Sequence, residues 1–449
     1  MRFFSLGFAS VILVGTILLM LPISVPKGND SADFITALFT SVSCTCVTGL
    51  SLVDTATAWS RFGHVVMICM IQLGGIGFMT FAVLVAKLVK KMLSPKDRML
   101  VAMSYNINNL EDISSLLKSI LIGTVSIELI GSALIFIRFR KLFSLGEAIF
   151  RSIFMSISAF CNAGFDLLGD VYASQATEGY AASVSYFISD PLITLTLAAL
   201  IIIGGIGFAV WFDIKEKIFQ RKKLSQYSRL VLIITLILLV GGTVLIALLE
   251  WENPNTIGHL SCSEKILASF FHSTTLRTAG FANFDNGKMN FGTQVISMLL
   301  MFIGGASGST AGGVKIVTVG VLTYTVFCNI IGRQDAILFK RRIPFSTFTR
   351  AASVVFMQVF LIILSSIAIY AIDGQIEGVD ILYEVISAVS TVGLTAGITS
   401  VLSTVSQMII ILLMYFGRVG ILTVTYALVL NQHSEKSSIR YPDADLLIG

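Results

Sequence analysis

Apolar runs separated by short polar connections continue through almost the whole chain, and the runs come in two lengths. Segments 11–21, 230–240 and 408–414 sit inside apolar stretches near or above the ~20 residues that cross a bilayer. Between the long stretches lie amphipathic ones at 32–45, 146–160, 264–276 and 379–390. At about 1.5 Å per residue these are too short to span as helices, and they suit re-entrant half-helices. The pattern predicts first helices over 4–25, 114–137, 228–250 and 346–372, and second helices over 62–91, 187–218, 291–331 and 402–430. Each unit then reads helix, re-entrant pore helix, extended loop, helix. The expected fold is an all-α integral membrane protein of four parallel helix–pore-loop–helix repeats around one central pore, with eight spans and four re-entrant pore helices. Repeat boundaries fall at 1–91, 92–218, 219–333 and 334–431, and 432–449 is a cytoplasmic tail.

Glycine spacing carries the repeat. Cys46-Val47-Thr48-Gly49, Cys161-Asn162-Ala163-Gly164, Arg277-Thr278-Ala279-Gly280 and Ser390-Thr391-Val392-Gly393 each follow one short stretch. Their glycines recur about every 115 residues, the mark of an internal repeat. A second landmark lies about 25 residues further on, or about 40 in the second repeat. The members are Gly74-Gly75-Ile76-Gly77, Gly204-Gly205-Ile206-Gly207, Gly304-Gly305-Ala306-Ser307-Gly308 and Gly417-Arg418-Val419-Gly420. The additional residues of repeat two fall in the polar stretch 167–185, where an extracellular insertion leaves the repeat undisturbed.

Composition removes the soluble alternatives. Of 449 residues 55% are hydrophobic and 13% charged, about half the roughly 25% charged of a soluble domain. The first apolar segment lacks a small-residue cleavage site and is expected to remain as a membrane helix. Basic residues gather in 87–98, 215–229 and 333–350. The alternate connections carry Asp30, Asp33, Asp166, Asp170, Glu178, Glu250, Glu252, Asp373, Glu377 and Asp380. The positive-inside rule makes the basic loops and both termini cytoplasmic. Arg138, Arg140 and Lys141 dissent on the outer side, with only snorkelling at a helix end to account for them.

Four loops entering from one side can surround an axis with backbone carbonyls, which are tolerated at membrane depth only when buried in protein or lining a wet path. Such carbonyls replace the hydration shell of a dehydrated cation. No carboxylate precedes any loop glycine; Val47-Thr48, Asn162-Ala163, Thr278-Ala279 and Thr391-Val392 stand there, which favours potassium over a calcium-type acidic ring. Asp54, Asp166 and Asp285 are placed to concentrate cations at the mouth. The six cysteines and four histidines show no metal-site spacing, and Cys44, Cys46 and the rest read as small packing residues. No phosphate-binding loop, dinucleotide fingerprint or catalytic constellation can be assembled, so neither an enzyme, nor an organic cofactor, nor a nucleic-acid partner is expected.

Beneath the loops, Gly304-Gly305-Ala306-Ser307-Gly308-Ser309-Thr310-Ala311-Gly312-Gly313-Val314-Lys315 interrupts the second helix of repeat three, and its glycines weaken a helix. Gly304, Gly308 and Gly312 alternatively form a GxxxGxxxG face for close helix packing. Arg418, where other repeats have Gly75, Gly205 and Gly305, must face protein or water, since an Arg in lipid costs at least ~3 kcal/mol. Glu128 is the other intramembrane charge and reads as a packing or interhelix hydrogen-bonding residue, with a role in transport as the alternative.

Thr391-Val392-Gly393 looks like the start of the potassium-channel filter signature, and the four-loop pattern over 4–430 resembles the Trk/Ktr/HKT superfamily of potassium transporters, most closely its bacterial KtrB branch. The resemblance implies one filter glycine per repeat (Gly49, Gly164, Gly280, Gly393), with potassium preference because all four are glycine. It implies that 304–315 is an intramembrane gating loop and Arg418 an electrostatic barrier. It further implies a homodimer in a bacterial cytoplasmic membrane, a KtrA-like octameric ring of cytosolic nucleotide-binding domains as partner, and sodium as an activator. A sodium- or proton-coupled symporter is the alternative, but such folds usually show inverted repeats.

Overall fold

The structure, a computed structural model, describes residues 2–28, 31–77, 113–172, 183–221, 223–333 and 335–420. The basic segment 87–98 and the tail 432–449 lie outside them. Four long or apolar helices open the units: α1 (Arg2–Leu19), α5 (Ile113–Phe139), α10 (Gln226–Glu250) and α14 (Phe345–Ile372). Among the described residues α5, α10 and α14 are long and apolar enough to cross a membrane, and the bent pair Pro191–Gly205 with Phe208–Phe219 makes a fourth if it counts as one span. Their outer faces stay bare: Ile130 on α5, Leu236 and Leu248 on α10, and Phe356 and Ile367 on α14 are all exposed. A helix with an uncovered apolar stripe this long belongs in lipid.

A shorter helix follows each one: α2 (Phe34–Cys46), α6 (Leu145–Cys161), α11 (Cys262–Thr275) and α15 (Gly378–Val389). Their starts are fixed by local chemistry. Asp33 caps α2 by accepting from Ile35 N–H at 3.1 Å, and Ser261 with Glu264 forms a capping box on α11. Their buried faces and the loops beyond them form the core, where Phe39, Phe154, Phe160, Phe271 and Tyr383 are fully enclosed. Between α2 and the next full helix runs the single turn α3 (Thr55–Ala58), and after α6 comes α7 (Gly169–Tyr172).

The second helix of unit two differs from the expectation of a continuous rod, and the interruption in unit three was expected. Residues 78–91 and 421–430, the far parts of the second helices expected in units one and four, lie outside the described residues. α4 (Arg61–Ile76) stops at Gly77, whose φ is 91°. α8 (Pro191–Gly205) meets α9 (Phe208–Gln220) at 97° across Gly207, φ 89°. α16 (Thr404–Val419) stops at Gly420, φ 88°. The third unit has the largest break: α12 (Phe291–Phe302) and α13 (Ile316–Ile330) are separated by the glycine-rich run. The glycine that closes the landmark, Gly77, Gly207 or Gly420, thus stands at each of these helix ends, where hydropathy alone would continue the helix. A small antiparallel hairpin, β1 (Ile337–Leu338) with β2 (Arg341–Arg342), pairs Ile337 with Arg342 before α14 begins.

Candidate functional site: a ring of four glycine loops

The C-terminal ends of α2, α6, α11 and α15 lead into four loops that share one backbone conformation. Two residues before each loop glycine the chain is left-handed: Val47 φ 58°, Asn162 φ 60°, Thr278 φ 64°, Thr391 φ 51°. For β-branched Val and Thr this region is strained, by about 1–3 kcal/mol each, and such strain gathers at functional sites. The glycines also have positive φ, at 101°, 70°, 81° and 94°.

These loops close on one another. A methyl built on Gly49 would lie 2.7 Å from Ala163 O; on Gly164, 2.9 Å from Ala279 O; on Gly280, 2.5 Å from Val392 O. On Gly393 it would lie 2.1 Å from Thr48 O, which returns the circuit to the first loop. Each glycine therefore abuts the carbonyl that precedes the next one, in the order 1–2–3–4. No side chain fits between. The four helix C-termini bring their partial negative charge toward this ring.

Just before the ring, several buried oxygens have no hydrogen-bond partner among the described residues: Thr48 Oγ1, Asn162 Oδ1, Thr278 Oγ1 and Thr391 Oγ1. Buried polar atoms are rarely left unpaired, so these oxygens are free to accept from water or to face a cation as cargo. Ser43 and Ser387 were not singled out in the sequence. Their hydroxyls accept the N–H of Gly49 and of Gly393, each at 3.1 Å. The signal was present: a hydroxyl stands six residues before every ring glycine, as Ser43, Ser158, Thr274 and Ser387.

All four glycines line a cavity of about 480 Å³, shared with Asp54, Asp166, Thr395 and Thr399. Asp54 and Asp166 lie where the mouth was expected. Asp285 does not line it; its carboxylate accepts from Gly287 N–H at 3.0 Å and pairs with Lys288 at 3.4 Å. Arg151 holds the Asp166 segment in place by donating to Leu167 O at 2.6 Å and to both carboxylate oxygens of Asp170.

On the opposite side of the ring runs the break of unit three. It is not helical, so the GxxxGxxxG packing face does not form; Gly308 and Gly313 have φ of 68° and 65°. In units one, two and four the first landmark glycine packs on the carbonyl four residues before its own ring glycine. Gly74 meets Thr45 O, Gly204 meets Phe160 O, and Gly417 meets Val389 O. In unit three Gly304 instead meets Gly312 O of its own loop. That loop reaches across: Thr310 Oγ1 donates to Phe160 O at 3.1 Å, Ala306 N–H to Gly205 O at 3.0 Å, and Gly312 touches Thr391 Oγ1. Tyr227 O–H donates to Ser307 O at 2.9 Å, and Lys315 Nζ donates to Ala311 O at 2.8 Å. Arg418 completes the tie. Its guanidinium donates to Thr310 O on one side and to Gly74 O and Gly75 O on the other.

Glu128 is an interhelix hydrogen-bond acceptor, receiving Gln72 Nε2 at 3.0 and 3.1 Å. His272 stacks on Phe284 at 4.4 Å. Among the described residues no group of three metal-ligating side chains occurs, and the cysteines are free.

A family model described as TrkH, cation transport protein, matches residues 8–439. The chain belongs to that family. It is accordingly a membrane transport protein and not an enzyme. Over 446 residues it is 39% identical to Ktr system potassium uptake protein B of Bacillus subtilis, covering 99% of this chain and 96% of that protein. It is 35% identical to potassium/sodium uptake protein NtpJ of Enterococcus hirae, covering 99% and 96%. The crystal structure of the potassium transporter TrkH from Vibrio parahaemolyticus superposes with a TM-score of 0.71 at 17% identity, over 95% of this chain and 85% of that one, a likeness of fold.

Proposed function

We propose that the chain is the potassium-translocating membrane subunit of a gated uptake system. Potassium enters the acidic vestibule, sheds water, and passes a filter formed by residues 47–49, 162–164, 278–280 and 391–393. The loop 304–315 with Lys315 and Arg418 is the gate that obstructs the path below. In this reading the chain makes eight spans and four re-entrant helices in four parallel units. The closed circuit of glycine against neighbouring carbonyl carries the proposal, because that geometry leaves room for backbone oxygens and an ion but for no side chain.

Several relatives are named as parts of a Ktr system, which supports further components. The reading takes these to be a second copy of the chain and a cytosolic ring of nucleotide-binding domains that moves the gate, with sodium as activator. The name of NtpJ, potassium/sodium uptake protein, is the one observation favouring sodium-coupled symport. A fixed potassium-to-sodium stoichiometry in proteoliposomes would select symport.

Crystals of the protein grown with rubidium in place of potassium test the filter. Anomalous density is expected on the ring axis beside Gly49, Gly164, Gly280 and Gly393. Density confined to the vestibule or the protein surface would overturn the assignment.

A further inference from the structure

The third loop carries a cation that the ring geometry does not explain. Arg277 stands three residues before Gly280, where the other loops have Cys46, Cys161 and Ser390. It is 7% exposed, and its Nε has no hydrogen-bond partner. Among the described residues no carboxylate pairs with it, and its only hydrogen bonds are through its backbone: its N–H to Thr274 O at 3.1 Å, and its carbonyl from Asn162 Nδ2 at 3.5 Å. Beside it lies a void of about 10 Å³ lined by Ile201, Ile202, Gly205 and Thr274, space for at most one water. A guanidinium stays protonated even when buried, so this is a full charge held close to the ring without a neutralising side chain.

Its position in the circuit is specific. Each loop packs against the second helix of the preceding unit, as Cys161 does against Gly75. Arg277 lies at the junction of units two and three, beside Gly205. Arg418 lies at the junction of units four and one, bonded to Gly74 O. With ring order 1–2–3–4, these junctions are diagonally opposite. The two arginines differ in employment: Arg418 is bonded to the loop beneath the ring, whereas the Arg277 side chain has no hydrogen-bond or ion-pair partner among the described residues. Arg277 also sits just beyond the C-terminus of α11, so it offsets the partial negative charge that this helix would bring to the ring.

We propose that Arg277 is a fixed internal cation that weakens ion binding in the glycine ring, so that ions leave as readily as they enter. The proposal rests on the reading of the ring as a potassium filter. Conduction needs binding strong enough to dehydrate the ion and weak enough to release it. The helix C-termini and a carbonyl ring favour the first, and a buried positive charge restores the second.

The test uses full-length detergent-purified protein, with potassium binding by titration calorimetry and rubidium flux in proteoliposomes. Arg277→Met is the main variant, because an unbranched apolar chain fits beside Ile201 and Ile202, and replacing a buried unpaired charge by an apolar group is compatible with folding. Arg277→Gln is the second neutral variant, and Arg277→Lys keeps the charge. The neutral variants are expected to bind potassium about tenfold tighter and to show a lower maximal flux, while Arg277→Lys stays close to the parent in both. Unchanged or weaker binding in folded neutral variants would overturn the proposal. So would failure of both neutral variants to fold while Arg277→Lys folds, since that marks a structural residue. Gly393→Ser, measured alongside, separates this from the parent reading: unchanged preference for potassium over sodium there would remove the filter itself.

Discussion

At the scale of single residues, the ring glycines are held by sterics and by backbone dihedral together. Gly393 has φ 94°, and a methyl there would overlap Thr48 O at 2.1 Å. A side chain must push the neighbouring carbonyl aside, and the carbonyl is the proposed ligand. Gly393→Ser and Gly280→Ser should therefore lower the preference for potassium over sodium by about tenfold or more, measured by uptake in a potassium-uptake-deficient strain. Ser387 offers a gentler perturbation. Its hydroxyl accepts the Gly393 N–H and so fixes the orientation of the peptide that joins Val392 to Gly393. Loss of one such bond costs about 1 kcal/mol. Ser387→Ala should then be folded, should transport, and should discriminate several-fold less well in the same assay. Full selectivity in that variant would show that the hydroxyl is only packing.

At the scale of elements, the loop 304–315 behaves as a strap tied at several points. Tyr227 holds Ser307 O, Arg418 holds Thr310 O, and Thr310 Oγ1 holds Phe160 O. If the strap obstructs the path, loosening it shifts the balance toward an open state. Tyr227→Phe removes one bond of about 1 kcal/mol, enough to shift a two-state balance by about fivefold. Arg418→Gln removes a charge as well and should raise flux further. Deleting 306–312 should raise it most, and an unaltered rubidium flux in that deletion would show that the loop is not the gate. What the sequence revealed here follows from what each signal measures. The first helices were legible to within a few residues at most ends, 346–372 against Phe345–Ile372 for instance, because apolar length alone defines them. The first helix was drawn longer, 4–25, than Arg2–Leu19, since Pro22 and the turn after it are still apolar. The second helix of unit two was drawn as unbroken because hydropathy runs straight through Gly207, whereas the break is a matter of backbone dihedral; beyond Gly77 and Gly420 the drawn helices run outside the described residues. Glycine density exposed the third break but not its direction across the ring. Arg277 was quoted as part of a repeat and passed over, because its isolation depends on what lies around it in three dimensions.

At the scale of the whole molecule, the ring has unlike surroundings: a cavity lined by Asp54 and Asp166 on one face, and on the other the loop 304–315 tied by Arg418. If that cavity is the entrance proposed above, Asp166 makes the approach to the ring sensitive to pH. Burial pushes its carboxyl up to about 7, and the charge of Asp54 adds to this, while the Leu168 N–H and Arg151 pull the other way. Because the folded-state value is raised, ionising Asp166 costs the fold rather than supporting it, so Asp166→Asn should not lower stability near neutral pH. Its effect belongs to transport. Above about 7 Asp166 adds a negative charge near the ring, and below it that charge is lost. A mouth lined by negative charge raises the local cation concentration, and proton uptake reduces that gain. The apparent potassium affinity should therefore fall by roughly twofold to fivefold as external pH drops from about 8 to about 6, with its midpoint near 7. Asp166→Asn should give the low-affinity value at every pH. Asp54→Asn should keep a pH dependence but move its midpoint downward, because the neighbouring charge that raises the Asp166 value is gone. Initial rates of rubidium uptake at several external pH values, with internal pH clamped, distinguish the three cases. Identical profiles for the parent and Asp166→Asn would move the titrating group elsewhere in the protein.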